Sequence, residues 1–192
     1  MTGRNRTNRA LASVAGVLGI LALVGGDSPT AGGAGEITAL ELAAELRADP
    51  DSVVLLDIRD EPAYREFHAP RARRVDADDV LDAVRASGAH ESSLIVVTGG
   101  ADRDPRPAWL ALRRAGSRRA HYLPDVLTSW LDQIVSPTLP STASEEEREA
   151  WEEQAELSRY FGGFPRVVDT PAGAEEGSTA RLRRAKRRGC AF

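Results

Sequence analysis

The chain's single thiol, Cys190, follows the run RLRRAKRR at 181–188, and the six positive charges in those eight residues favour the thiolate, the nucleophilic form of cysteine. One Cys and three His exclude a zinc ribbon, an iron–sulfur centre and an internal disulfide, each of which needs more thiols than the chain has. Two other places combine chemistry with spacing. Asp57 and Arg59 stand two residues apart at the end of the apolar run VVLLDI, 53–58, as expected of a partly buried ion pair that orders the following loop. The decapeptide TGGADRDPRP, 98–107, follows a second apolar run, LIVV at 94–97, and so sets Thr98, Gly99, Gly100, Ala101, Asp102, Arg103 and Arg106 in a strand-to-helix loop. Backbone N–H groups of such a loop can cradle an anion at a helix N-terminus. Here Asp102 and Asp104 make the loop acidic, and Pro105 and Pro107 each remove a donor.

The elements that must position these residues alternate between helix and strand periods. Thr38 and Glu41 have the spacing of a capping box, opening a helix that runs to the Asp49-Pro50-Asp51 break. The runs 53–58 and 94–97 read as strands buried on both faces, and His121-Tyr122-Leu123 as a short third strand. Helical turns are expected over 60–67 and 78–86, with longer helices over 108–115, ending at Gly116, and over 126–134. Trp109 and Trp130 serve as core anchors. This order predicts an α/β fold with a mainly parallel sheet covered by helices on both faces.

The 192 residues suit one ordinary domain, 36–135, with extensions on either side. Residues 1–26 join Arg4, Arg6 and Arg9 to the uncharged stretch 10–26, the layout of an export signal or a single membrane-spanning anchor helix. The arginines keep that end cytoplasmic and place the domain outside the membrane; small residues at Gly25, Gly26, Ala31 and Ala34 permit cleavage without demanding it. Residues 27–35 form a flexible linker of small residues. A net charge of −4 argues against a nucleic-acid partner.

From about Ile37 to Ile134 the chain resembles the rhodanese-like domain family. Asp57, Arg59, Tyr64, His68, Pro70 and Ala72 fall on the family's strand, Asp-x-Arg, Glu-Tyr and Gly-His-Ile-Pro-Gly-Ala signature, from which Phe67, Ala69 and Arg71 depart. Leu123 and Trp130 match the late Leu-x-Gly-Gly-x-x-x-Trp signature, with Asp125 and Val126 in place of its glycines. The resemblance implies a rhodanese-like sheet with His68 in a hydrogen-bonded structural role, and a thiolate that accepts sulfane sulfur inside the loop after the second strand. Counted forward from the strand, that thiol falls near Thr98 or Gly99; counted back from Arg106, it falls near Ala101. Neither count meets a Cys, and the Thr98 hydroxyl has no sulfur chemistry and no evident base beside it.

Beyond that domain, residues 136–168 comprise an acidic helix, with seven Glu and one Arg in 145–156, and an aromatic segment in which Tyr160, Phe161 and Phe164 can pack on the domain or on a protein partner. Residues 169–192 form a disordered tail whose basic run suits an acidic or anionic partner. No cofactor and no metal are expected. Two functions are carried forward: an exported, membrane-associated binding or scaffold module without turnover, with Asp57, Arg59 and Arg106 lining the altered loop, and a sulfurtransferase or sulfur carrier whose thiol is Cys190.

Overall fold

The computed structural model describes residues 34–169. The apolar stretch 10–26, the basic run 181–188 and Cys190 lie outside the described residues, and among those described no helix is long and apolar enough to cross a membrane. The elements in chain order are α1 (Ala39–Ala48), β1 (Val53–Asp57), α2 (Glu61–Glu66), β2 (Arg73–Arg74), α3 (Val80–Ala86, preceded by a 3-10 turn at Ala77–Asp79), β3 (Leu94–Thr98), α4 (Arg106–Arg114), β4 (Ala120–Leu123), α5 (Val126–Trp130), β5 (Thr138–Pro140), α6 (Glu145–Tyr160) and β6 (Arg166–Val168). A four-stranded sheet of order β2-β1-β3-β4 is parallel throughout, with Leu55 opposite Val96 and Val97 opposite Tyr122. The mainly parallel α/β sheet expected from the two apolar runs is therefore present.

Side chains alternate across these strands, and each face carries its own core. Leu55 and Val96 join Leu42, Phe67, Trp130 and Ile134 beneath α1 and α5. Leu56, Ile95 and Val97 join Val80, Ala108 and Leu112 beneath α3 and α4. Burial on both faces explains why β1 and β3 read as unbroken apolar runs. On α1, the Thr38 hydroxyl accepts the Glu41 N–H at 3.1 Å while the Glu41 carboxylate accepts the Thr38 N–H at 2.8 Å, so the capping box forms as its spacing predicts.

Three boundaries differ from the sequence reading. Helix α4 starts at Arg106, ahead of the expected Ala108, because Pro107 occupies the first turn, where no N–H is needed. The expected helix 126–134 is α-helical only to Trp130 and then widens into a π-helical turn, Leu131–Val135. The 136–168 stretch holds two strands besides its helix: β5 and β6 pair in parallel, with Leu139 opposite Val167. That stretch packs on the domain, since Leu157, Phe161 and Phe164 contact the α1/α5 core and Phe161 meets Trp130 edge-on at 5.4 Å between ring centroids. Tyr160 is exposed. The Phe164 N–H donates to the Val135 carbonyl at 2.8 Å, and a Cβ on Gly163 would stand 2.5 Å from the Ile134 carbonyl oxygen, so this approach to the π turn requires glycine.

Candidate functional site at the C-terminal ends of the parallel strands

β1 ends in a charge that is out of water. Asp57 is fully buried and Arg59 is 5% exposed. The Arg59 Nη2 donates to Asp57 Oδ2 at 2.7 Å, its Nε reaches Asp57 Oδ1 at 3.1 Å, and its backbone N–H reaches the same Oδ1 at 3.0 Å. The guanidinium also donates to the Phe67 carbonyl at 2.5 Å, so one arginine fastens the strand end to the end of α2. Neighbouring signature residues complete a frame. The Tyr64 hydroxyl donates to the Ala72 carbonyl at 2.7 Å, and the His68 ring stacks on Tyr64 at 4.2 Å with Nδ1 2.9 Å from the Tyr64 carbonyl oxygen. Through the Arg59 N–H and the Phe67, Ala72 and Tyr64 carbonyls, these side chains tie down the backbone around the end of β1.

The frame supports the loop after β3. Gly100 rests on Arg59, where a Cβ would stand 3.0 Å from the Arg59 Cδ. Thr98 is fully buried, its hydroxyl 3.4 Å from the Leu56 carbonyl oxygen. The loop then folds back on itself: the Gly100 N–H donates to the Arg103 carbonyl and the Arg103 N–H to the Gly100 carbonyl, both at 3.1 Å. This return places the Arg103 carbonyl against Gly99. A Cβ on Gly99 would stand 2.1 Å from that oxygen and 2.7 Å from Pro105 Cδ, so the side-chain position immediately after β3 is filled by the chain's own backbone.

The loop's donors are spent in the same way. The Gly99 N–H goes to the Leu123 carbonyl at 3.2 Å, and the Arg106 N–H goes to Asp104 Oδ1 at 3.0 Å. With Pro105 and Pro107 offering none, most of the N–H groups that could surround an anion are absent or turned to other acceptors. Arg106 faces outward. It holds Asp104 through Nε at 2.9 Å and Nη2 at 2.9 Å, and these hydrogen bonds keep the Asp104 carboxyl below its ordinary range. Asp57, Arg59 and Gly100 are thus brought together, whereas Arg106 pairs with Asp104 on the exposed side.

Beside the loop lies a cleft of about 340 Å³ lined by Glu36, Gly100, Ala101, Asp104, Pro105, Arg106, Tyr122 and Pro124. Sequence reasoning missed Glu36, Tyr122 and Pro124 as lining residues. Glu36 reaches the cleft because the chain before α1 runs alongside β4: the Tyr122 N–H donates to the Gly35 carbonyl and the Ile37 N–H to the Tyr122 carbonyl, both at 3.0 Å. Gly35 permits this with φ of 86° and with the Trp109 ring lying where its Cβ would be. The Tyr122 hydroxyl points at Glu36 Oε2, 3.4 Å away, and burial first, then the Glu36 charge, push the phenol above its ordinary value. Among the described residues no three His, Cys, Asp or Glu side chains cluster as metal ligands.

No curated protein matches the chain. The family model for the rhodanese-like domain matches residues 38–133, from the capped start of α1 into the π turn, and so spans the whole parallel sheet and the loop after β3. The chain therefore belongs to the rhodanese-like domain family.

Proposed function

We propose that this protein is a rhodanese-like binding module that does not itself transfer sulfur, held at the membrane by residues 10–26 with the domain on the outer side. The observation that carries the reading is the Arg103 carbonyl at 2.1 Å from any Cβ on Gly99. A persulfide-forming thiolate needs a side chain at the end of β3 surrounded by oriented N–H groups, and such preorganised donors supply much of the stabilisation of developing charge. Here the position holds glycine, a carbonyl oxygen faces it, and the N–H groups of Gly99, Gly100, Arg103 and Arg106 are engaged. The residues on the family signature keep their framework role, which preserves a surface at the strand ends on which the cleft between the loop and Tyr122 can receive a partner. The basic flank Arg4, Arg6 and Arg9 before the apolar stretch supports the proposed topology.

Thiosulfate:cyanide sulfur transfer by the purified full-length protein tests the first part, with no turnover above background expected. Turnover abolished by Cys190→Ser would replace this reading with the sulfur-carrier one. Turnover that survives Cys190→Ser would refute both, since the chain has no other thiol. Protease protection of membrane vesicles tests the topology: the domain should be digested from the outer side only, and a protein found wholly in the soluble cytoplasmic fraction would overturn it.

A further inference from the structure

We propose that the basic segment 181–188 docks on the outer face of α6 in the same chain, so that the domain covers its own cationic segment. Helix α6 is divided lengthwise. Its buried side carries Ala155 and Ser158, with Trp151 and Leu157 half-buried beside them. On the other side Glu145, Glu149, Glu152 and Glu156 follow one another at i, i+4, i+7 and i+11, a single exposed stripe, with Glu146 and Glu153 along one edge.

Like charges at these spacings weaken a helix. The helix dipole offsets this for glutamates in the first turn, but Glu149, Glu152, Glu153 and Glu156 lie beyond its reach. The helix's own cations do little to relieve the stripe. Arg148 is turned to the carbonyls of Ala143 and Ser141, and Arg159 reaches only Glu152, at 4.0 Å. The face is built for a cationic partner.

The course of the chain selects the partner. β6 ends where α6 begins: Val168 lies opposite Pro140, and the Ser141 N–H donates to the Val168 carbonyl at 2.8 Å, three residues before the Ser144 cap of α6. The chain therefore leaves β6 at the acidic end of the helix. Residues 170–180 reach at most about 36 Å when extended, against about 24 Å for the length of α6. Every glutamate of the stripe is within range of the six positive charges at 181–188. Tethering over so short a span gives a high effective concentration, which favours this face over the same face of a second copy.

Lys186 is the only lysine in the chain, which makes the docking readable by zero-length carbodiimide coupling. The full-length protein in non-ionic detergent is treated at low salt and the Lys186 crosslinks are mapped by mass spectrometry. The expected result is amide links from Lys186 to Glu149, Glu152, Glu153 or Glu156, falling several-fold in Arg183→Glu/Arg184→Glu and at about 1 M salt, where the screening length is about 3 Å. A mixture of isotope-labelled and unlabelled protein should give links within one copy. Links confined to Glu175 and Glu176, links only between copies, or a yield indifferent to salt and to the arginine substitutions would each overturn the proposal.

Discussion

Replacing Asp57 by Asn keeps the shape of the side chain and removes its charge, leaving the Arg59 guanidinium cationic at 5% exposure beneath the loop. The pair meets at 2.7 Å with both side chains almost wholly out of water. Breaking a buried pair on one side costs about 3–5 kcal/mol, mainly because the surviving charge is stranded. The surface pair Arg71–Asp51, also 2.7 Å but with side chains 53% and 87% exposed, gives the contrast, since such pairs contribute about 0–1 kcal/mol. Asp57→Asn should therefore lower Tm by roughly 6–20 °C, at about 2–4 °C per kcal/mol for a chain of this size, whereas Asp51→Ala should shift it by only a few degrees. Thermal and urea unfolding followed by circular dichroism read both. Asp57→Asn/Arg59→Met should cost less than the sum of its two single substitutions, because it removes the stranded charge as well. An Asp57→Asn protein as stable as Asp51→Ala would refute the claim that this pair holds the strand end.

Two further outcomes follow from the packing and the titration. His121 is held below the ordinary histidine value of 6.5, first by burial and then by the Arg119 charge, against a smaller opposing effect of Glu41. The unfolded chain thus takes up this proton more readily than the folded one. Stability should be full above pH about 6.5 and fall as pH drops from there toward the folded value, and His121→Gln should flatten that slope in Tm measured between pH about 7.5 and about 5.5. An unchanged slope would remove His121 from the account. Phe161→Ala should destabilise the whole domain by at least the roughly 0.5–1.5 kcal/mol of an aromatic pair, with α6 and the sheet unfolding together; separate transitions would mean that α6 does not share the core.

How much of this could be read in the sequence depends on where each feature's cause lies. β1 and β3 are buried on both faces, and an unbroken apolar run records that directly. The α1 capping box is a local hydrogen-bond exchange between Thr38 and Glu41, legible from spacing alone. β2 is two arginines, and β5 and β6 are three residues each, too short for any period to register. At the site, the composition of 98–107 showed that an anion would be poorly served. The closing of position 99 depends on a fold-back between Gly100 and Arg103, and Glu36 enters the cleft only because Gly35 lets the chain run beside β4. Contacts made by backbone over backbone mark the sequence only through the glycines that permit them.

The most direct measurement of the central claim places a thiol at Gly99, one of the positions to which the family's thiol counts in this chain. In the Gly99→Cys/Cys190→Ser protein, incubation with a sulfane-sulfur donor followed by intact-mass analysis reads whether position 99 can form and keep a persulfide. With the Arg103 carbonyl and Pro105 standing at 2.1 and 2.7 Å from the new Cβ, the account predicts a less stable protein whose mass does not rise by one sulfur. A stoichiometric gain of one sulfur at position 99, in a protein as stable as the parent, would show an open and competent cradle and contradict it.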